Sequence, residues 1–174
     1  LATVAIEDAE FYNHKGISFR GIGRAALTLI KDHKVTGGST ITQQLIKNTL
    51  LTQSSGFGKY VRKIKEWVLA IKIDNSMPKE KILEYYLNEA PYGGTIYGIE
   101  EASRTYFGKD PLSLTLAEAA YLASIPQSPT ILSPYGRNRE RLETRKNYVL
   151  QRMFELKFIS EQEYDRAKKE IVTF

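Results

Sequence analysis

One segment suited to chemistry is a run of polar side chains that follows a pair of glycines. Gly37 and Gly38 lead into hydroxyl, amide and ammonium groups, where a core helix would carry apolar side chains. Thr40 can cap a helix, with Gln43 reaching back to it as in a capping box. The pattern predicts a helix start that exposes hydroxyls and amide N–H groups and attracts anions. An ordinary capped helix facing solvent is the alternative. The side chains that could line a sugar or phosphate site are Ser39, Thr40, Gln43, Gln44, Lys47 and Asn48.

A second candidate is the cationic segment at residues 62–66. In a helix, Arg62 and Lys63 lie on one face with Glu66, which follows them by four and three residues. Such a face could clamp a phosphate or pyrophosphate, with Glu66 orienting the cations or holding a metal. A surface salt bridge worth a few tenths of a kcal/mol is the simpler alternative.

A third candidate is the carboxylate pair Glu7 and Asp8, which follows an apolar run near the start of the chain. A carboxylate in that position could be partly desolvated, which would raise its pKa toward that of a general base. The pattern predicts one helix over residues 2–13, which would place His14 on the same face as Glu7, two turns later. Acidic decoration of a helix surface is the alternative.

Composition restricts the kinds of site that the chain can build. Its 174 residues predict one domain, 1–174, and the net charge of +5 favours anionic partners. The absence of cysteine excludes disulfides and thiolate zinc sites, and two histidines are too few for a histidine metal centre. Any metal would be a hard cation on carboxylates. The sequence has no apolar run long enough to span a bilayer and opens without a methionine. We therefore expect it to be cut from a longer protein.

Hydrophobic periodicity predicts a mainly helical chain. Residues 18–34 form a basic amphipathic stretch that could lie on a membrane surface or pack on the core. Asn88 precedes a glycine- and tyrosine-rich loop that could be a sugar-binding edge or a structural turn, and Arg145 is the polar member of a core-forming helical row. The predicted helices are 2–13, 18–34, a helix after Thr40, 59–73, a helix after Pro78, 99–106, 116–125, 138–156 and 161–170, with 91–98 non-helical and 126–134 extended.

Taken in order, these segments resemble the peptidoglycan glycosyltransferase family (family 51). That family comprises the glycan-polymerising domains of class A penicillin-binding proteins and the monofunctional transglycosylases. The similarity covers nearly the whole chain and has five motifs in register. The matching residues are Glu7, Asp8, Phe11, His14 and Gly16; then Gly38, Thr40, Ile41, Thr42, Gln43, Gln44, Lys47 and Asn48; then Arg62, Lys63 and Glu66; then Ile82, Leu83, Glu84, Tyr86, Leu87 and Asn88; then Arg145, Val149, Leu150 and Met153.

The resemblance implies a lysozyme-like, mainly α-helical fold with two lobes and a central cleft, and an enzyme that polymerises lipid II. It implies catalytic roles for Glu7, as general base, and for Glu66, which positions the cations or a divalent metal such as Mg²⁺ or Mn²⁺. No organic cofactor is implied. The residues implied to bind substrate are Asp8, His14, Ser39, Thr40, Gln43, Gln44, Lys47, Asn48, Arg62, Lys63, Asn88 and Arg145.

The resemblance also implies where the chain works and with what. The expected partners are lipid II, the growing lipid-linked glycan, the membrane surface and moenomycin-type inhibitors, with no nucleic acid. The expected location is the outer face of the bacterial cytoplasmic membrane. We expect the full-length parent to carry a membrane anchor, and a transpeptidase domain if it is bifunctional.

The chain departs from the family pattern at two places. Ala9 stands where the family usually has arginine, and residues 54–58 differ from the usual proline- and charge-containing turn. Two other functions compete with polymerisation: a lysozyme-like glycan hydrolase, and a non-catalytic module that binds lipid II or membranes. The hydrolase leaves the cations at Lys47, Arg62 and Lys63 without a role, since glycan cleavage releases no phosphate.

Overall fold

The computed structural model describes residues 1–23, 37–51 and 58–174, and these residues are mainly helical. This confirms the predicted fold class. The elements in chain order are α1 (Ala2–Glu7), α2 (Ile41–Thr49), α3 (Lys59–Ser76), α4 (Lys79–Glu89), β1 (Pro91–Gly93), β2 (Ile96–Tyr97), α5 (Ile99–Phe107), a 3-10 turn (Pro111–Ser113), α6 (Leu116–Ser124), α7 (Arg139–Glu155) and α8 (Glu161–Lys169). Within the described ranges, no helix is both long and apolar enough to cross a bilayer.

The chain forms two compact units. The first combines Leu1–Ala9 with Ala90–Phe174, and the second is Glu10–Glu89.

The core of the first unit is built largely from small side chains on α1, α6, α7 and α8. Alanines on α1 and α6 allow these helices to approach closely, and larger residues of α7 fill the remaining space. Thr115 caps α6 in a capping box with Glu118, as the sequence predicts. The buried cluster is Ala2, Ala5, Ala117, Ala120, Ala123, Val149, Leu150, Met153 and Ala167.

In the second unit, α2 packs against α3 and α4. A close approach between Gly16 and the backbone of α3 fixes the segment that precedes these helices. Gly16 has a φ of +83°, and a Cβ added to it would lie 2.4 Å from the Ala70 carbonyl oxygen. The Gly16 carbonyl also accepts a 2.7 Å hydrogen bond from Thr40 Oγ1. One glycine therefore links the early chain to both α2 and α3.

The helix predicted over residues 2–13 is wrong. α1 ends at Glu7, and Asp8 leaves the helical region with φ −158° and ψ 75°. A turn follows, in which Asn13 N–H donates to the Glu10 carbonyl at 2.8 Å. Glu7 and His14 therefore do not share a helix face. The periodicity misled because Phe11 is apolar and fully buried but belongs to the second unit.

Several other boundaries differ from the predictions. The stretch 126–134 is a series of turns rather than an extended crossing, since Ser128 N–H donates to Ile125 O and Ile131 N–H to Ser128 O. The helix predicted to end at 73 continues to Ser76, because the chain remains regular until Met77 becomes extended before Pro78. Of the amphipathic stretch 18–34, residues 19–23 are helical after the non-helical Ser18, and residues 24–34 lie outside the described residues.

Candidate active site

The cationic segment of α3 is organised around a buried carboxylate. Lys63 Nζ lies 2.8 Å from Glu66 Oε2, and Arg62 Nε lies 3.8 Å from Glu66 Oε1. The Glu66 side chain is 5% exposed, whereas those of Arg62 and Lys63 are 44% and 40% exposed. This arrangement differs from the simple surface salt bridge, because a buried anion holds two cations whose side chains are only partly exposed. We call Arg62 and Lys63 the α3 cation pair.

Ser39 joins the α3 cation pair to the segment that leads into α2. Its Oγ accepts a 2.9 Å hydrogen bond from Lys63 Nζ. The polar residues before α2 and the cations of α3, both of which the resemblance implies to bind substrate, are therefore in direct contact at this point. The ammonium bridges a hydroxyl and a carboxylate, so its position is fixed from two sides.

Thr40 and Gln43 begin α2 through the predicted capping box. Thr40 N–H donates to Gln43 Oε1 at 3.0 Å, and Gln43 N–H donates to Thr40 Oγ1 at 3.2 Å. The prediction that this helix start exposes its hydroxyls and amides is wrong for Thr40 and Gln43, which are each 1% exposed, whereas Ser39 and Gln44 are partly exposed. Thr40 Oγ1 donates to the Gly16 carbonyl at 2.7 Å. Gln43 Nε2 is buried and has no hydrogen-bond partner among the described residues.

A network that the sequence analysis missed lies beside this helix start. Thr42 Oγ1 donates to Asp74 Oδ2 at 2.8 Å, and Lys79 Nζ lies 2.7 Å from Asp74 Oδ1. The same ammonium sits 4.5 Å from the centre of the Phe11 ring. The only sequence signal for this network is the pair of opposite charges, Asp74 and Lys79, which lie on either side of the break between α3 and α4. The network connects α2, the end of α3, the start of α4 and the first motif.

Glu7 lies in the first unit, at the last residue of α1. Its side chain is 11% exposed, and Oε1 is 3.8 Å from Arg145 Nη2. Arg145 Nε donates to the carbonyl of Ser124 at 3.2 Å, which ties the guanidinium to the end of α6. Burial lowers the pKa of Arg145, and the charge of Glu7 opposes that shift. The partly desolvated carboxylate expected from the apolar run is present.

Tyr92 is a buried neighbour of this carboxylate. Burial raises the pKa of its phenol, and the negative charge of Glu7 adds to the shift. Its carbonyl accepts a 2.7 Å hydrogen bond from Tyr106. The loop that the sequence offers as a sugar-binding edge or a structural turn thus contributes a buried aromatic ring near Glu7.

The other candidate residues lie in less defined surroundings. Asp8 is buried, and His14 packs edge-on against Phe11. Gln44 Oε1 accepts a 3.3 Å hydrogen bond from Tyr86. Side chains that remain accessible or partly accessible are Lys47, Asn48 and Asn88.

A family model described as Transglycosylase matches residues 1–154. The chain belongs to the transglycosylase family. The match confirms the resemblance drawn from the five motifs, and with it the predicted enzyme class, a glycosyltransferase.

Named relatives of this transglycosylase include penicillin-binding protein 1A of Haemophilus influenzae, 43% identical over 170 residues, which cover 97% of this chain and 20% of that protein. A provisionally named transglycosylase of Cupriavidus necator is 43% identical over 166 residues, which cover 95% of this chain and 70% of that protein. The chain thus spans about a fifth of the length of the penicillin-binding relative. The crystal structure of the Haemophilus protein matches with a TM-score of 0.51 and 45% identity, over 55% of this chain and 14% of that one.

Glu66 alone provides too few ligands to bind a divalent metal well. It is one carboxylate already engaged by two cations. Among the described residues of the transglycosylase, no three histidine, aspartate or glutamate side chains are grouped as metal ligands. A hard divalent cation prefers six or more oxygen ligands, or keeps several waters. A requirement for Mg²⁺ or Mn²⁺ stays a prediction, and we derive no catalytic step through a metal.

Proposed function

We propose that this transglycosylase polymerises lipid II into β-1,4-linked glycan strands, with inversion at the donor's anomeric carbon and release of undecaprenyl pyrophosphate. The observation that carries the proposal is the α3 cation pair, which Glu66 holds in place while both side chains remain partly exposed. Two fixed cations suit a pyrophosphate leaving group. A hydrolase that cleaves glycan has no use for them.

Glu7 is the general base in this mechanism. Its carboxylate takes the proton from the 4-hydroxyl of the acceptor's N-acetylglucosamine. That oxygen attacks the anomeric carbon of the donor's N-acetylmuramic acid, and the bond from that carbon to the pyrophosphate oxygen breaks with its electrons on the leaving group. The position of Glu7 supports this role, since the carboxylate is partly buried and Arg145 orients it.

The leaving group needs positive charge more than it needs a proton. A pyrophosphate is already a stable anion, so cations that meet the charge developing on its bridging oxygen lower the barrier. Lys63 and Arg62 supply that charge, and exposed Lys47 provides a third cation for the same lipid-linked anion. Glu66 acts by positioning Lys63 and Arg62. A second carboxylic acid as proton donor is not required.

The remaining candidate residues take different parts in substrate binding. Thr40 and Gln43 are buried, so we assign them to shaping the start of α2. The residues that we propose to contact sugar, peptide or phosphate groups are Asp8, His14, Ser39, Gln44, Asn48, Asn88 and Arg145.

The proposed surroundings follow from the substrate. A lipid-linked donor places the reaction at a membrane, and we propose the outer face of the bacterial cytoplasmic membrane, with moenomycin-type inhibitors as competing ligands. Exposed Phe19 belongs to the stretch 18–34 proposed for membrane contact. A transpeptidase domain elsewhere in the parent and a role for Mg²⁺ or Mn²⁺ are further proposals.

The test is incubation of the chain with fluorescent lipid II in detergent, with and without Mg²⁺ or Mn²⁺, and separation of the products on a gel. A ladder of polymer supports the proposal. Cleavage of preformed glycan without polymer would instead identify a hydrolase, and tight lipid II binding with no product would identify a binding module.

A further inference from the structure

One side of α3 holds the chain that starts α2 at both ends of a long stretch. Near the beginning of α3, Lys63 Nζ donates to Ser39 Oγ at 2.9 Å. Near its end, Asp74 Oδ2 accepts a 2.8 Å hydrogen bond from Thr42 Oγ1. Lys63 and Asp74 are 11 positions apart, which is close to three helical turns. They therefore lie on the same side of α3, about 16 Å apart along its axis.

A third contact lies between these two and runs through Gly16. The backbone of Ala70, on the same side of α3, is so close to Gly16 that an added Cβ would be 2.4 Å from the Ala70 carbonyl oxygen. Gly16 in turn accepts the 2.7 Å hydrogen bond from Thr40 Oγ1. The start of α2 thus runs along this side of α3, and its successive residues meet successive turns of the helix.

The contact at Asp74 is a closed polar network. Thr42 is fully buried, and the Asp74 side chain is 1% exposed. Asp74 Oδ1 lies 2.7 Å from Lys79 Nζ while Oδ2 accepts from Thr42, so each oxygen of the carboxylate has its own partner. The Lys79 ammonium also lies 4.5 Å from the centre of the Phe11 ring. Fully paired polar groups in a core are rigid and select one arrangement of the elements that carry them. We call Thr42, Asp74 and Lys79 the Asp74 network.

We infer that the Asp74 network positions the α3 cation pair for the pyrophosphate of the substrate. It fixes the register of the α2 start on α3, and this register places Ser39 Oγ where Lys63 Nζ donates to it. Thr42 and Asp74 are thus positioning residues that act through Ser39 and Lys63 without touching the substrate. The inference rests on the proposed function for the identity of the ligand, and it adds residues outside the set assigned to substrate binding.

A role in stability alone is the alternative. Replacement of a buried ion pair by apolar side chains of similar volume is often neutral for stability, so packing of α2 against α3 and α4 does not by itself require Asp74 and Lys79. Positioning is favoured by where the network lies, because it holds the same short segment that Lys63 contacts and holds it on the same side of α3.

The first test removes one hydroxyl group. Thr42→Val keeps the branched shape but leaves Asp74 without its hydrogen bond from α2. We expect the dissociation constant for fluorescent lipid II in detergent to rise about tenfold, as for the loss of one hydrogen bond to a charged group. Thr42→Ser retains the hydroxyl and should bind nearly as the parent does.

The matched control is Thr49→Val, which removes a hydroxyl from the other end of α2. That hydroxyl donates to the Leu45 carbonyl of its own helix, so the variant should bind lipid II as the parent does. Unfolded molecules lower the amplitude of such a titration and leave its dissociation constant unchanged. A lower melting temperature of Thr42→Val with parent-like affinity would therefore overturn the inference and leave a role in stability alone.

A second test asks whether the effect passes through Lys63. Lys63→Ala removes the ammonium that the network positions, so the addition of Thr42→Val should weaken lipid II binding little further. Losses that multiply in the double variant would overturn the route through Lys63. Asp74→Ala should reproduce the result of Thr42→Val, and if it does not fold, the Thr42 variants decide the question.

A measurement without substrate separates this inference from the proposed function. The NMR signal of the Lys63 side chain, in protein with isotope-labelled lysine, is assigned by its absence from Lys63→Ala. We expect the signal to shift in Thr42→Val and to keep its position in Thr42→Ser and Thr49→Val. That shift, with no polymer from the unmodified chain, would support the positioning of Lys63 while refuting the proposed function. An unshifted signal with normal polymerisation would overturn the positioning role alone.

Discussion

Arg145 Nη2 lies 3.8 Å from Glu7 Oε1, although the two residues are far apart in the sequence. The guanidinium also donates through Nε to the Ser124 carbonyl, so the end of α6 and the middle of α7 together orient the carboxylate at the end of α1. Small core residues such as Ala5 and Ala120 allow these helices to pack closely enough for the contact. The proposed base is therefore positioned by the core of the first unit.

Replacement of Lys63 by alanine should weaken binding of the pyrophosphate substrate. A charge-assisted hydrogen bond is worth about 1.5–3 kcal/mol, which corresponds to an increase of roughly 10- to 100-fold in the dissociation constant for lipid II. The affinity is measured by titration of fluorescent lipid II in detergent. Lys63→Arg should recover part of the loss, because it restores the charge.

The control for this variant is Lys81→Ala, which removes a 45% exposed lysine that pairs with Glu84 on α4. It should leave the affinity unchanged. If Lys63→Ala binds lipid II as tightly as the parent, the α3 cation pair does not bind the pyrophosphate.

Gly16→Ala should destabilise the fold by about 3 kcal/mol or more. An added Cβ would lie 2.4 Å from the Ala70 carbonyl oxygen, and the φ of +83° disfavours any L side chain. Gly108 also has a positive φ, of +64°, but a Cβ there meets no atom within 4 Å. Gly108→Ala should therefore cost only about 1–2 kcal/mol. Urea unfolding of both variants measures the difference, and equal costs would refute the close approach at Ala70.

The stability contributed by Glu143 should depend on pH. Burial acts to raise the pKa of this carboxyl group, but hydrogen bonds from Lys146 and Tyr121 outweigh it and hold the pKa below its ordinary value of 4.5. A carboxylate with a lowered pKa stabilises the fold above its unfolded-state pKa, and the contribution is lost as the pH falls through the folded-state value. Glu143→Gln should thus be less stable than the parent at pH 7. Thermal unfolding from pH 7 down to pH 3 should show the difference shrinking below about pH 4.5, whereas a constant difference would contradict the lowered pKa.

The helix starts were predictable because their signals are local. Thr40, Thr115 and Ser160 each cap a helix, and the side chain of the third helical residue accepts a hydrogen bond from the backbone N–H of the cap. All three capping boxes are present in the structure. The spacing of Arg62, Lys63 and Glu66 likewise predicts their shared helix face, since three and four residues make one turn.

The predictions that were wrong, and the network that was missed, involve contacts between distant parts of the chain. Burial of Thr40 requires Gly16, which lies 24 residues earlier. No local breaker in the sequence marks the end of α1 at Glu7. The hydrogen bond from Thr42 to Asp74 joins residues that are 32 positions apart. Periodicity within one segment contains none of this information.

The measurement that tests the account most directly is lipid II polymerisation by Glu7→Gln beside lipid II binding by the same variant. A general base contributes about 10²- to 10⁴-fold to the rate, so we predict loss of the polymer ladder with the binding affinity nearly unchanged. Glu155→Gln, which changes a partly exposed glutamate on α7, should polymerise as the parent does. Near-normal polymerisation by Glu7→Gln would contradict the assignment of Glu7 as the catalytic base.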